Sequence, residues 1–135
     1  MIIVKNLGPA VCLGFIFLLL AGPAGVAQAA TGLKLNPSLD YTSDSNDGPL
    51  ITGEHFSDGS LSKGTPAYII FYQRECYNSK RQARRTVELY GKYRGKVDFI
   101  IVDLDTTLSK EQEALRSRFY RNYIPHVTII GGDGM

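Results

Sequence analysis

Residues 74–80 read Arg-Glu-Cys-Tyr-Asn-Ser-Lys, which places Cys76 and Ser79 on either side of Tyr77 and Asn78. Two thiols at this spacing could close into a disulfide; one thiol and one hydroxyl cannot. A cysteine thiolate attacks a disulfide sulfur and is then held as a mixed disulfide until another thiol releases it. Ser79 can donate a hydrogen bond to that sulfur but cannot resolve the bond, so the chemistry on offer is exchange of monothiol type. Its reactivity depends on the surroundings. A helix N-terminus favours an anion, and Lys80 and Arg81 add positive charge nearby. Glu75 works against them, because a carboxylate disfavours a second anion beside it. The alternative is an inert cysteine in a strand-to-helix corner.

The compartment decides what such a thiol would meet. No charged residue occurs from Asn6 through Leu33, and the apolar run Val11 to Ala21 is closed by Gly22-Pro23. Ala27-Gln28-Ala29 then has the small-x-small pattern of a signal-peptidase site. Residues 1–29 are therefore expected to be a secretory signal peptide, and the mature protein to be periplasmic or secreted. A retained membrane anchor is the rival, since a span needs about 20 apolar residues. Pro9, Pro23 and the small, polar tail speak against it, and no stable membrane insertion is expected after cleavage. Cys12 would leave with the signal, making Cys76 the only thiol. In an oxidising compartment an odd cysteine is buried and inert, half of an intermolecular bridge, or reactive.

Removing Lys5 from the 15 basic residues leaves 14 against 13 acidic ones. A nucleic-acid binder would carry a strongly basic patch interleaved with aromatics. Here Lys80, Arg81, Arg84 and Arg85 form only a local cluster suited to a solvated helix face, and no nucleic-acid partner is expected. His55 and His126 stand apart, the sequence contains no metal-ligand spacing or phosphate-binding glycine loop, and no cofactor is implied.

The elements that must position Cys76 are legible on both sides of it. Residues 30–48 are rich in Ser, Asn, Asp and Gly, and predict a flexible polar leader. From Pro49 the composition becomes domain-like, with Pro49 to Phe56 as a short first strand. Ala67 to Tyr72 (AYIIFY) is dominated by β-formers and predicts a buried central strand. Lys80 to Tyr93 predicts a helix with Ala83, Val87 and Tyr90 facing inward, stopped by Gly95. Val97 to Leu104 predicts a second buried strand, Ser109 with Gln112 a capping box for a helix through about Tyr120, and His126 to Ile130 a last strand.

Strand AYIIFY, Cys76-Tyr77-Asn78-Ser79-Lys80, a helix ending Leu89-Tyr90-Gly91-Lys92-Tyr93, Val102-Asp103-Leu104-Asp105 and Tyr123-Ile124-Pro125 follow one another in the order and spacing of thioredoxins. Residues 68–134, about half of the chain, thus resemble the thioredoxin-like superfamily. The resemblance implies an α/β thioredoxin-like fold, a central mixed sheet flanked by helices. The domain is placed at residues 49–135, C-terminally short and lacking the family's last strand and helix. Cys76 and Ser79 stand where the family has its two cysteines, giving a C-x-x-S site, and Pro125 stands where it has its cis-proline. Ile70 replaces a buried acid and Glu75 a tryptophan, both departures that suit a site no longer cycling as a dithiol, and His126 replaces a threonine.

A cis Pro125 would bring the backbone of Ile124 beside Cys76, where Tyr77, Asn78, Ile124 and Pro125 would contact an extended substrate; otherwise Pro125 is a simple strand entry. Glu75, Lys80 and His126 are the expected modulators, with His126 either near the thiol or solvated at the loop edge. Two functions fit these residues. One is thiol-disulfide exchange, as an oxidoreductase or isomerase of monothiol type, with protein or low-molecular-weight thiols and disulfides as partners. The other is a redox-silent binding or chaperone-like module on the same fold. Asp133-Gly134 is a hairpin signal followed only by Met135, so Val127 to Ile130 is expected to present an open edge to a strand-completing partner or to a second copy. The export expectation is checked by the intact mass of the exported protein. A mature N-terminus within a few residues of Ala30 is the expected result, and a membrane-embedded product that retains Met1 contradicts it.

Overall fold

The computed structural model describes residues 32–45, 48–53 and 58–134; the signal segment, Cys12 and His55 lie outside them. Seven elements follow one another: β1 (Lys34–Leu35), β2 (Ile51–Thr52), β3 (Ala67–Tyr72), α1 (Tyr77–Tyr93), β4 (Asp98–Asp103), α2 (Lys110–Phe119) and β5 (His126–Ile130). The fold is mixed α/β. β3 lies in the middle of a three-stranded sheet, parallel to β4 and antiparallel to β5, while β1 and β2 form a separate antiparallel pair.

All six residues of β3 are buried, which is why its sequence is a continuous apolar run instead of an alternating one. Tyr68, Ile70 and Tyr72 face α1 and the β1–β2 pair; they pack with Ala83, Tyr90, Phe99 and Ile101. Ala67, Ile69 and Phe71 face the other way, toward Ile100, Val102, Ile130 and Leu115 of α2. One helix thus covers each face of the sheet. Among the described residues, no helix is long and apolar enough to cross a membrane.

A buried polar chain fixes α1 on its face. The Thr86 hydroxyl donates to the Gln82 carbonyl at 3.0 Å, so Tyr68 Oη, 3.0 Å away, donates to Thr86 Oγ1 and in turn accepts from Gln82 Nε2 at 3.1 Å. At the far end Gly95, with φ of 78°, takes the left-handed conformation that glycine adopts without penalty, and the chain leaves the helix for β4. The expected capping box is present on α2: Ser109 Oγ accepts from Gln112 N at 3.0 Å, and Gln112 Oε1 accepts from Ser109 N at 3.0 Å.

The expectation of a flexible leader over residues 30–48 is corrected for the described residues 32–45. Leu33 and Leu39 are buried in the α1-side core, with Leu35 and Tyr41 packed against it. The chain folds back on itself where Asn36 N donates to the Leu50 carbonyl at 3.3 Å and Asn36 Nδ2 to the Pro49 carbonyl at 2.7 Å. Tyr41 Oη donates to the same Leu50 carbonyl at 2.6 Å. Contacts with α1 hold the result in place: Gly32 N donates to Tyr90 Oη at 2.9 Å, and the Arg84 guanidinium lies 5.5 Å from the centre of the Tyr41 ring. Average composition concealed this because a few apolar residues, correctly spaced, carry the packing. The domain accordingly begins before Pro49. Replacing a buried leucine by alanine costs about 2–5 kcal/mol. Leu33→Ala is therefore expected to lower unfolding free energy by about 2–4 kcal/mol in denaturant titration; an unchanged midpoint would mean that this segment is a leader after all.

Candidate functional site

Cys76 is the N-cap of α1, in extended conformation with φ of −88° and ψ of 112°. Its carbonyl accepts the first bond of the helix from Lys80 N at 3.2 Å, while its side chain caps nothing. The sulfur turns instead toward the last strand: Cys76 Sγ lies 3.9 Å from the carbonyl oxygen of Ile124, to which the thiol donates. The Ile124–Pro125 peptide bond is cis. Cys76 is half-buried and opens into a pocket of about 180 Å³ lined by Gln73, Glu75, Cys76, Asp105 and Ile124.

The turn between β3 and α1 is held from β4. Tyr72 and Asp103 are partners in the parallel register, so both strands end together and the acids at the end of β4 reach the residues just beyond β3. Asp105 Oδ2 accepts from Arg74 N at 2.7 Å, and its other oxygen accepts from Gln73 Nε2 at 3.2 Å. Asp103 Oδ2 pairs with Arg74 Nε at 3.2 Å, the two side chains being 13% and 31% exposed. Asp103 Oδ1 accepts from Asp105 N at 3.0 Å, which orients the second acid. A charge-assisted bond to a backbone amide is among the stronger kinds, and here it fixes the chain two residues ahead of the thiol.

The residues anticipated from the sequence are distributed unevenly about this site. Cys76, Ile124 and Glu75 line the pocket. Tyr77, 38% exposed, and the exposed Asn78 present the first turn of α1 to solvent, with the Arg81 guanidinium 5.8 Å from the Tyr77 ring centre. Pro125 is partly buried. Ser79 is wholly buried, and its hydroxyl has no hydrogen-bond partner among the described residues. The bond expected from Ser79 to the sulfur is therefore not made, because Ser79 turns into the protein while the N-cap residue turns its sulfur to Ile124.

Lys80 is likewise corrected as a modulator. It is fully buried, and its ammonium donates to the Ser43 carbonyl at 2.6 Å and to Ser45 Oγ at 3.3 Å. The segment expected to be a leader folds over α1 and takes this cation for itself. His126 is 7% exposed, so it is not the solvated loop-edge residue. Its ring stands perpendicular to Tyr123 at 4.7 Å and packs near Phe71 and Tyr120 at 6.0 and 6.2 Å. Nε2 bonds Thr128 Oγ1 at 3.1 Å, while Nδ1 is buried without a partner among the described residues. Gln73, Arg74, Asp103 and Asp105 were not anticipated at the site. The signal for them was available in the strand–helix–strand order, since strands joined by a helical crossover can pair in parallel and then bring the residues after their C-terminal ends together.

No group of three or more His, Cys, Asp or Glu among the described residues could hold a metal ion. No protein-family model matches the chain, and no curated protein does.

Tyr72 lies under the Arg74–Asp103 pair, 2% exposed. Burial first, and then the Asp103 carboxylate, push its phenol well above the ordinary value of 10.0. The neutral phenol is thus the form the fold accepts. For a folded-state pKa raised above the unfolded one, the stabilisation is complete below the unfolded value, near pH 10, and is lost as pH rises above it toward the folded value. Between pH 9 and 11, the wild-type chain is expected to lose more unfolding free energy than Tyr72→Phe does. Parallel curves for the two proteins would contradict this account of Tyr72.

Proposed function

We propose that the chain is an exported thioredoxin-like protein that carries out thiol–disulfide exchange through Cys76 alone. The observation that supports this most is the placement of the thiol: a half-buried helix N-cap whose sulfur donates to the Ile124 carbonyl at 3.9 Å in the wall of an open pocket. A backbone carbonyl beside the sulfur, next to a free surface, is where an extended partner segment can lie against the chain while its disulfide meets Cys76. In the exchange, Cys76 gives its proton to solvent and its sulfur attacks one sulfur of the partner disulfide. The partner S–S bond breaks, and the departing thiolate takes up a proton. One disulfide is lost and one is formed, so no external oxidant is needed. Release requires a second thiol from outside the chain, because Ser79 cannot supply one. Partners are proteins or small molecules bearing thiols or disulfides, and the outer edge of β5, which pairs only with β3 among the described strands, is the proposed place for a strand-completing partner or a second copy.

Ser79 is what holds the site in this mode. A thiol introduced at position 79 lies one turn along α1 from Cys76, whose side chain swings from the Ile124 carbonyl to meet it. Ser79→Cys is expected to form an internal disulfide between Cys76 and the introduced thiol, and to reduce insulin disulfides in the presence of dithiothreitol. The parent is expected to accumulate glutathione adducts without reducing insulin, and Cys76→Ser to do neither. Turnover should stay below that of a dithiol protein with a buried acid, since Ile70, fully buried among Tyr68, Tyr72 and Ala83, cannot assist the second thiol. A variant that oxidises without joining the two positions contradicts the assigned geometry. A parent that takes no glutathione favours the redox-silent binding module.

A further inference from the structure

We infer that the solvent face of α1 is a docking surface for an acidic protein segment in which carboxylates flank a single basic residue, a surface independent of the exchange proposed above. Charge is segregated along this chain. Residues 77–96 hold seven of the 15 Lys and Arg residues and one of the 13 Asp and Glu residues, so this stretch carries +6 and the remainder −4. Lys80 is buried, whereas Arg81, Arg84, Arg85, Glu88 and Lys92 are all exposed. At 3.6 residues per turn these five fall within an arc of about 100° and extend over about 17 Å of helix. In axial order they present three cations, one carboxylate and one cation.

The molecule does not neutralise this stripe. Among the described residues the ion pairs are Arg74 with Asp103 and Arg116 with Glu113, and none includes a residue of the stripe. Two of its guanidiniums are ordered by rings instead: Arg81 lies 5.8 Å from the centre of Tyr77 and Arg84 5.5 Å from that of Tyr41. Asp40, next to Tyr41, turns its Oδ1 to Thr42, accepting from the amide at 2.8 Å and the hydroxyl at 2.6 Å. A guanidinium already held in place loses less freedom on meeting a carboxylate, and its fork matches both carboxylate oxygens. Glu88 decides the class of partner. An anionic lipid surface is uniformly negative and would face a carboxylate in the middle of the stripe, while the apolar side of α1, with Ala83 and Tyr90, is buried in the core and cannot insert. A protein segment can set a Lys or Arg against Glu88 and acids on either side of it, and the one mismatched charge then excludes uniformly acidic partners.

The probes are two fluorescein-labelled, alanine-based helical peptides of the same composition, each with glutamates along one face and one lysine. In the first the lysine lies between the glutamates; in the second it stands at the end of the row. Binding to the purified chain is followed by fluorescence anisotropy at low ionic strength. The first peptide is expected to bind more tightly, on the order of fivefold, the scale of one or two exposed charge pairs. Glu88→Lys should reverse the order of the two peptides. Arg81→Gln combined with Arg85→Gln should weaken the first peptide by about fivefold. Lys110→Gln combined with Arg118→Gln removes the same charge from exposed positions of α2 and should leave its binding unchanged. Equal affinity for the two peptides, equal loss from the α1 and α2 variants, or no binding of either peptide overturns the inference. Binding to phosphatidylglycerol vesicles that the α1 variant loses, and that Glu88→Gln strengthens while the peptides remain undistinguished, assigns the stripe to a membrane surface and overturns the protein partner.

Discussion

The parallel pairing of β3 with β4 is the constraint on which the rest depends. Because Tyr72 and Asp103 are register partners, the two strands end level, and the turn leaving β3 must be received by the residues at the end of β4. Asp103 and Asp105 do the receiving, one through the Arg74 side chain and the other through the Arg74 amide. The chain is then committed to a tight turn, and Cys76 arrives at the start of α1 in extended conformation. From there its sulfur looks toward the far side of β3, where β5 enters from Ile124 and Pro125. The antiparallel register that sets His126 opposite Phe71 completes the pocket. Three strands, none longer than six residues, thus bring Gln73, Asp105 and Ile124 to one thiol.

Electrostatics at that thiol arise from the packing of a distant segment. The helix start and its basic cluster predict a positive surrounding, yet Lys80 is engaged in holding Ser43 and Ser45, and Arg84 lies over the Tyr41 ring. Asp105 both fixes Arg74 N and lines the pocket beside the thiol. Burial of Lys80 has a second consequence, since an ammonium removed from water needs acceptors, and the carbonyl and hydroxyl supplied by the segment ahead of β2 bind that segment firmly to α1.

Much of the fold is legible in the sequence, for reasons that can be stated residue by residue. The central strand announces itself because burial on both faces demands an uninterrupted run, and AYIIFY has one. Ser109 and Gln112 specify their own reciprocal bonds, and Gly95 its own turn. The segment over residues 32–45 does not, because its packing rests on Leu33, Leu39 and Tyr41 scattered among polar residues, each placed by a partner far along the chain. Lys80 escapes a local reading for the same reason: its sequence neighbour is Cys76, but its spatial neighbours are Ser43 and Ser45. His126, isolated in the sequence, is surrounded in space by Phe71, Tyr120 and Tyr123, and only tertiary structure could show that. Local rules predict local bonds; long-range contacts decide where charges and leucines go.

The central claim is that Cys76 is placed to exchange and is not an inert corner cysteine. Reaction of the purified chain with 2-hydroxyethyl disulfide, a neutral probe that ignores the surrounding charges, addresses it directly when the intact mass is followed over time near pH 7. The account predicts a single adduct at Cys76 that is absent from Cys76→Ser. A mass that does not change would contradict it.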